Sequence, residues 1–267
     1  MVKALCVLIV IGFTGLIQSL PGSGNNATQI AEATYKNNNC VNCHAKVDEP
    51  LRVSARYYEW QFSRHQEKGV SCDKCHGGDP TATDKDKAHV DVLRSSEAQS
   101  RLSRNNQAAT CSACHQPVVN AFVQSAHYQK LKSVGLGPNC NTCHAHMATT
   151  VIYSPKEVAN LCSNCHNAAD FLPPRPQIPR RASEAKMALQ RANGVINWAA
   201  LLLTEGRRLG LTLTEEQNEF KLAQQLLSDA KVSWHTFKLE DIQKNADGAF
   251  QKGTKVKDGL RKKIVAD

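Results

Sequence analysis

The cysteines of this chain constrain its fold more than any other feature. The chain has 267 residues and 11 cysteines, and ten of these cysteines fall into copies of the pattern Cys-x-x-Cys-His. Because cysteine and histidine are both rare, repeated copies do not arise by chance. The copies, called motifs 1 to 5 below, are Cys40-Val-Asn-Cys43-His44, Cys72-Asp-Lys-Cys75-His76, Cys111-Ser-Ala-Cys114-His115, Cys140-Asn-Thr-Cys143-His144 and Cys162-Ser-Asn-Cys165-His166.

The pattern Cys-x-x-Cys-His is the attachment sequence of c-type haem. The two thiols form thioethers with the haem vinyl groups, and the histidine becomes the proximal iron ligand. A zinc ribbon also uses Cys-x-x-Cys pairs, but it does not need a histidine directly after each pair. A disulfide framework suits an exported chain and equally leaves the five histidines unexplained. The sequence therefore predicts five covalently bound haem c groups.

The histidines outside the motifs match the number of irons. The chain has 10 histidines, and the five that remain are His65, His89, His127, His146 and His235. This match predicts a second histidine ligand at each iron, which gives low-spin, coordinatively full haems suited to electron transfer. After the initiator, only Met147 and Met187 are available for methionine ligation. For any single one of these histidines, a surface or propionate-binding role is the alternative.

Two of these histidines lie in an internal repeat. Trp60-Gln-Phe-Ser63-Arg-His65 and Phe122-Val-Gln-Ser125-Ala-His127 share the frame aromatic-x-x-Ser-x-His, and each frame precedes a Gly-x-x-Cys-x-x-Cys-His run. Residues 40–76 and 111–144 therefore resemble two copies of a dihaem module. His146 follows motif 4 too closely to reach the far face of that haem, so we expect it to ligate a neighbouring iron.

Residues 1–27 have the pattern of a secretory signal peptide. Lys3 precedes an apolar run from Ala4 to Ile17, and a polar segment rich in helix breakers follows. The run is short for a membrane-spanning helix, although an uncleaved anchor is the alternative. We expect export, with the protein periplasmic or otherwise beyond the cytoplasmic membrane.

The remaining chain divides into a haem region and a helical region. Residues 28–170 are predicted to form a pentahaem cytochrome c domain, mainly α-helical and loop-rich, in which the haems are the core. Residues 171–179 contain four prolines and are predicted to be an extended linker. Residues 180–267 show apolar positions at helical spacing. They predict a helical hairpin or three-helix bundle, with Thr214-Glu-Glu-Gln217 as a capping box.

The histidine frames, the run Gly-Val-Ser-Cys72-Asp-Lys-Cys75-His76-Gly77-Gly78 and the helical C-terminus resemble one superfamily of multihaem cytochromes. It contains hydroxylamine oxidoreductase and pentahaem cytochrome c nitrite reductase, and the tetrahaem electron acceptor of ammonia oxidisers is similar in the same way. The resemblance covers about residues 38–170 well and the helical tail more loosely. It implies haems stacked in alternating parallel and perpendicular pairs.

This chain also departs from both enzymes in that superfamily. It has no Cys-x-x-Cys-Lys sequence, which the nitrite reductases use at the catalytic haem, and no residue that matches the cross-linking tyrosine of the oxidoreductases. The leading hypothesis is an electron carrier between redox partners, such as a membrane quinol-oxidising complex, a terminal reductase or other cytochromes. The alternative is a reductase or oxidase of a small nitrogen or sulfur compound (nitrite, hydroxylamine, tetrathionate) at one five-coordinate haem. A subunit of a larger homo- or hetero-oligomeric haem assembly is a third hypothesis.

The charge of the chain initially suggests an anionic partner, since its formal net charge is +9. Five haems would add two propionates each, which offset this surplus. Residues 180–267 retain 16 basic side chains against 11 acidic ones, so a basic helical face could dock an acidic redox partner. No role in nucleic-acid binding is predicted.

Overall fold

A computed structural model describes residues 35, 37–48, 50–146, 151–167 and 174–266, without the side chain of Arg52. The predicted signal peptide, Met147 and the first part of the predicted Pro-rich linker lie outside the described residues. Within them the protein is mainly α-helical and rich in loops, as predicted, and contains no β-strand. None of the described helices is long and apolar enough to cross a membrane.

Short helices dominate the first part of the chain, and long helices the second. The short helices of the haem region are α1 (Asn39–His44), α2 (Leu51–Gln61), α3 (Arg64–Glu67), α4 (Cys72–His76), α5 (Lys85–Ala88), α6 (Gln107–Val123), α7 (Ala126–Val134), α8 (Cys140–His144) and α9 (Pro155–His166). The long helices are α10 (Gln177–Arg208), α11 (Thr214–Ser233) and α12 (Leu239–Ala266), with a 3₁₀ turn at Trp234–Thr236 between α11 and α12.

Helices α10, α11 and α12 form a three-helix bundle, one of the two predicted arrangements. Small and branched apolar side chains repeat at helical spacing on each inward face, which lets the helices approach closely. The core contains Ala185, Leu189, Ala192, Ile196, Ala223, Leu227, Ala230, Ile242, Ala246 and Ala249. A second cluster at the far end of the bundle contains Ala199, Leu203, Leu213, Val256 and Leu260.

Two local predictions in this region are wrong. Thr214 is the first residue of α11 and makes no capping bond; its predecessor Leu213 holds the N-cap position and has no side-chain acceptor. Leu213 is only 3% exposed, so its burial in the bundle decides where the helix begins. The predicted extended linker also ends early, because α10 begins at Gln177 and contains Pro179 in its first turn, where proline costs no intrahelical hydrogen bond.

The haem region has a sparse apolar core of its own. Its largest cluster of buried apolar residues comprises Ala108, Val119, Phe122 and Leu131, with Phe237 from the C-terminal region packed against it. The helical segments 51–67 and 107–134 are each interrupted by a serine. Ser63 accepts a hydrogen bond from the backbone N–H of Gln66, and Ser125 accepts one from that of Tyr128. Each serine thereby begins a new helix.

Glu216 is a buried carboxylate in the first turn of α11. Its side chain is 10% exposed, and its Oε1 lies 2.7 Å from Nζ of Lys263 on α12. Its Oε2 has no hydrogen-bond partner. Burial raises the pKa of Glu216, but the hydrogen bond and charge of Lys263 outweigh this and leave the pKa below its ordinary value. The ion pair therefore links the first turn of α11 to the last turns of α12.

Replacing Lys263 with methionine should destabilise the fold by about 1–3 kcal/mol, because it leaves the carboxylate of Glu216 buried and unpaired. The matched variant Lys262→Met changes an exposed neighbour and should stay within about 0.5 kcal/mol of the wild type. Urea unfolding followed by circular dichroism measures both. The folded-state pKa of Glu216 is depressed, so its contribution is complete well above pH 4.5 and is lost as the pH falls through the folded-state value. The difference in unfolding free energy between the wild type and Lys263→Met should therefore shrink in acid. Equal losses of stability in Lys263→Met and Lys262→Met would contradict this account.

Two glycines precede motif 4 and differ in their surroundings. Gly135 ends α7 with a φ of 70°, and a Cβ there would meet no atom within 4 Å. Gly137 has a φ of 130°, and a Cβ there would lie 2.7 Å from the backbone oxygen of His127. The guanidinium of Arg104 also donates a hydrogen bond to the carbonyl of Gly137. The segment that enters motif 4 is thus pressed against the start of α7.

Gly137→Ala should therefore destabilise the protein more than Gly135→Ala. The Gly135 variant meets only the penalty of a positive φ, about 1–2 kcal/mol, whereas the Gly137 variant adds a backbone clash and should lose about 3 kcal/mol or more. Thermal unfolding midpoints separate the two, since about 1 kcal/mol shifts the midpoint by 2–4 °C in a chain of this size. Equal midpoints would show that the Gly137 contact is dispensable.

Candidate functional site

Each Cys-x-x-Cys-His motif lies on helical backbone. Helices α1, α4, α8 and α9 each end at the histidine of a motif. Residues three apart share one face of a helix, so the two cysteines of each motif lie on the same side. Motif 3 is inside α6, where His115 has non-helical angles (φ −106°, ψ 38°) two residues before Pro117. The kink there ends one helical stretch and starts the next.

The ten motif cysteines are all unpaired, so none of them forms a disulfide. Most are half-buried, and the second cysteines of motifs 1, 3 and 5 are exposed. No group of three or more Cys, His, Asp or Glu side chains within the described residues is arranged to hold a metal ion. The motif cysteines and histidines are instead distributed over five places, one for each motif.

The repeated frame around His65 and His127 has the same structure in both copies. Trp60 is 3% exposed and Phe122 is 7% exposed, so the aromatic residue anchors the preceding helix in both. The Nε1 of Trp60 also donates a hydrogen bond to the carbonyl of Val70, at 2.8 Å. The serine that follows caps a new helix, and the histidine is the second residue of that helix.

The structure pairs four motif histidines with four histidines from outside the motifs. The pairs are His44–His89, His65–His115, His127–His166 and His144–His235, with ring centroids at 6.1, 6.1, 5.9 and 6.1 Å. Their interplanar angles are 49°, 80°, 86° and 8°. If the two rings of a pair packed directly on each other, the distance between their centroids would change with the angle between their planes. In these four pairs the centroid distance is nearly constant although the interplanar angle varies widely.

This separation fits an iron between the two rings of each pair. Metal–imidazole nitrogen bonds are about 2 Å long. Each ring centroid lies about 1 Å beyond its nitrogen, so two imidazoles on opposite sides of one metal have centroids about 6 Å apart. The donor set also fits, since imidazole is a common axial ligand of haem iron.

The fifth motif histidine, His76, lies near His146. Burial lowers the pKa of the His76 imidazole, and the nearby His146 and His44 lower it further. His146 is therefore near motif 2, and its role as a ligand there stays a prediction. The structure thus pairs the rings of eight of the ten predicted histidines and brings His146 near His76.

Hydrogen bonds to Nδ1 orient three of the partner histidines. His89 Nδ1 lies 2.7 Å from the carbonyl of Lys85, and His235 Nδ1 lies 3.1 Å from the carbonyl of Lys231. His146 Nδ1 lies 2.7 Å from Oε2 of Glu59. A ring whose Nδ1–H donates to such an acceptor has its Nε2 lone pair available for a metal. Among the motif histidines, Nδ1 of His166 is buried without a hydrogen-bond partner.

Cysteines of consecutive motifs lie close enough to influence each other. Burial raises the pKa of the Cys72 thiol to about 11, with Cys40 of motif 1 as the next cause. Burial and then Cys111 raise that of Cys75. A hydrogen bond to Cys140 is the main cause of the raised pKa of Cys111. Burial and then Cys143 raise that of Cys162 to about 11. Motifs 1 to 5 therefore follow one another in space as they do in sequence.

The turn between α11 and α12 connects the bundle to the haem region. It carries His235, paired with His144, and Phe237, whose ring centroid lies 4.2 Å from that of His127. Phe237 has a φ of 59°, a conformation that is strained in residues other than glycine and that surrounding structure must maintain. One turn thus contacts the histidine pairs of both motif 4 and motif 5.

Sequence reasoning missed three residues of this site. Glu59 contacts His146; Phe237 packs on His127; and Lys186 on α10 is half-buried, with its Nζ 5.1 Å from the ring centre of Tyr153. Burial lowers the pKa of Lys186, while the neighbouring Cys143 acts in the opposite direction. A carboxylate, an aromatic ring and an amine are common on any helix, so no sequence pattern distinguished them.

Residues 18–77 match the protein family described as cytochrome c554 and c-prime. The chain is also similar to the C-type polyheme cytochrome OmcC of Geobacter sulfurreducens, with 31% identity over 121 residues, 43% of this chain and 15% of the relative. The C-type polyheme cytochrome OmcB of the same species is 30% identical over 122 residues, 43% of this chain and 14% of the relative.

The multiheme cytochrome MtrA of Shewanella baltica is 26% identical over 143 residues, which make up 52% of this chain and 40% of the relative. The chain thus spans less than half the length of each of these curated relatives. No solved structure matches it. The repeated attachment motifs and these similarities together identify the chain as a multihaem c-type cytochrome.

Proposed function

We propose that this chain is an exported pentahaem c-type cytochrome that carries electrons between redox partner proteins through bis-histidine, low-spin haems. The observation that carries the proposal is the constant separation, 5.9 to 6.1 Å, of four histidine pairs whose interplanar angles differ widely. The nearness of His146 to His76 supports the same ligand set at motif 2.

In this proposal each haem has two histidine ligands. Haem c supplies one-electron exchange at its iron, and the motif cysteines of this chain hold it covalently. The proposed ligand pairs are His44 and His89 for haem 1, His76 and His146 for haem 2, His115 and His65 for haem 3, His144 and His235 for haem 4, and His166 and His127 for haem 5.

Full coordination favours a carrier over an enzyme. If two histidines hold each iron as proposed, they would leave no position at which nitrite, hydroxylamine or a sulfur compound could bind an iron. The succession of neighbouring cysteines, Cys40–Cys72, Cys75–Cys111, Cys111–Cys140 and Cys143–Cys162, supports a continuous line of five haems. Such a line lets an electron enter near one end and leave near the other.

Export, partners and the finer family relation also belong to this proposal. The signal-like residues 1–27 support export, where haem is attached and redox partners are reached. The similarity to hydroxylamine oxidoreductase and cytochrome c nitrite reductase is proposed for the haem arrangement alone, since the chain lacks a Cys-x-x-Cys-Lys sequence. The basic surplus of residues 180–267 supports docking of an acidic redox partner.

The haem count is tested by mass. The mature protein should exceed its polypeptide mass by five haems, and the double variant Cys72→Ser and Cys75→Ser should carry four, because motif 2 loses both thioether positions. The control variant Cys6→Ser lies in the predicted signal peptide and should keep five. Intact-protein mass spectrometry reads all three, and a wild type with fewer than five haems would contradict the proposal.

The ligand set is tested by electron paramagnetic resonance of the ferric protein. The wild type should show low-spin haems alone and should not change on addition of cyanide or nitrite. His235→Ala should convert one of the five haems to a high-spin form that binds cyanide, because it removes a ligand of haem 4. The control Lys238→Ala alters an exposed residue of the same turn and should resemble the wild type.

A high-spin haem in the wild type would overturn the carrier proposal. If His235→Ala then left the spectrum unchanged, His235 would not be a ligand and the iron of haem 4 would be open. That outcome would favour the reductase or oxidase hypothesis.

A further inference from the structure

The partner histidine His146 differs from His89 and His235 in what its Nδ1 contacts. His89 and His235 face backbone carbonyls, which are neutral. His146 faces Oε2 of Glu59, a carboxylate, at 2.7 Å. Glu59 and His146 lie 87 residues apart in sequence, so this contact exists only because the fold brings α2 beside the end of motif 4.

Helix α2 holds Glu59 firmly in this position. The neighbouring Trp60 is 3% exposed, and its indole N–H is bonded to the carbonyl of Val70 just before motif 2. Arg56, one turn earlier on the same face, places its Nη1 2.7 Å from both carboxylate oxygens of Glu59. The Glu59 side chain is 35% exposed and that of Arg56 is 57% exposed, so Arg56 only partly offsets the negative charge.

A carboxylate that accepts the Nδ1–H of a ligating imidazole makes that imidazole a stronger electron donor. The negative charge also favours the ferric over the ferrous iron, because the ferric form carries one more positive charge. Both effects lower the reduction potential. A backbone carbonyl at the same place has a smaller effect of the same kind.

We propose that Glu59 is a positioning residue that lowers the midpoint potential of the haem ligated by His76 and His146, and that Arg56 moderates this effect. The inference rests on the proposed function, since it requires His146 to be an iron ligand. The potential of haem 2 would then depend on a charged side chain next to its ligand His146. The proposed ligands His89 of haem 1 and His235 of haem 4 contact neutral backbone carbonyls through Nδ1.

The test compares variants of opposite expected sign in the full holoprotein. Glu59→Gln keeps an acceptor for the Nδ1–H but removes the charge, so one midpoint potential should rise by the equivalent of about tenfold in the reduction equilibrium constant, about 59 mV for one electron. Arg56→Gln removes the moderating cation, so the same potential should fall by a smaller amount. Spectroelectrochemical titration of the haem absorption measures both shifts.

Two further variants identify the haem and control for charge. His146→Met should raise the potential of the same haem, which assigns it within the five-haem titration. Glu67→Gln is the charge control, because Glu67 forms an i,i+3 ion pair with Arg64 on α3 as Glu59 does with Arg56. The carboxylate of Glu67 accepts a hydrogen bond from Arg64 and not from a histidine. This variant should shift no potential by more than about a third of the Glu59→Gln effect.

The outcomes separate this inference from the proposed function. The first case is a wild type in which every haem is low-spin. If Glu59→Gln then leaves all five potentials unchanged, or if Glu59→Gln and Arg56→Gln shift one potential in the same direction, the role of Glu59 is refuted while the ligand set stands. If the haem of motif 2 is high-spin in the wild type, His146 is not its ligand and the ligand set itself fails.

Discussion

Four pairs of histidine rings, each with centroids close to 6 Å apart, connect segments of this chain that lie far apart in sequence. The helices of the haem region are short, and the largest apolar cluster there is small. Short helices without an apolar face to bury are marginal on their own. The histidine pairs and the groups that they are proposed to bind therefore supply the cross-links, and we expect haem attachment to be coupled to folding.

The C-terminal bundle provides what the haem region lacks. Its helices bury continuous apolar faces, so its packing follows the ordinary rules of helical bundles. It meets the haem region at α9 and at the turn that carries His235 and Phe237. A rigid bundle that presents one turn to two neighbouring histidine pairs can hold both in register, and the strained backbone of Phe237 is consistent with such a constraint.

Electrostatics differ along the proposed line of haems. The carboxylate of Glu59 contacts His146, which is proposed as a ligand of haem 2. The amine of Lys186 lies near Cys143 of motif 4 and close to the aromatic rings of Tyr153 and Trp234. Opposite charges at two positions of a redox chain act on potentials in opposite directions. In this way side chains outside the ligand set can differentiate haems whose ligands are identical.

The sequence by itself determined the cofactor class and the helical architecture. These depend on local patterns: Cys-x-x-Cys-His requires only adjacent residues, and helical periodicity requires only one face. The repeated frame around His65 and His127 belongs to the same class, since it spans only six residues. Local rules failed at Leu213 and at Gln177, where burial in the bundle and the tolerance of proline in a first helical turn moved the helix starts.

Only the tertiary structure decided which histidine meets which motif. His89 is paired with motif 1 and not with motif 2, which precedes it directly, and His235 comes from the C-terminal region to pair with motif 4. The contact of Glu59 with His146 is of the same kind. No periodicity connects such residues, because the loops between them have no repeating geometry, and their meeting depends on how the helices pack around the haem sites.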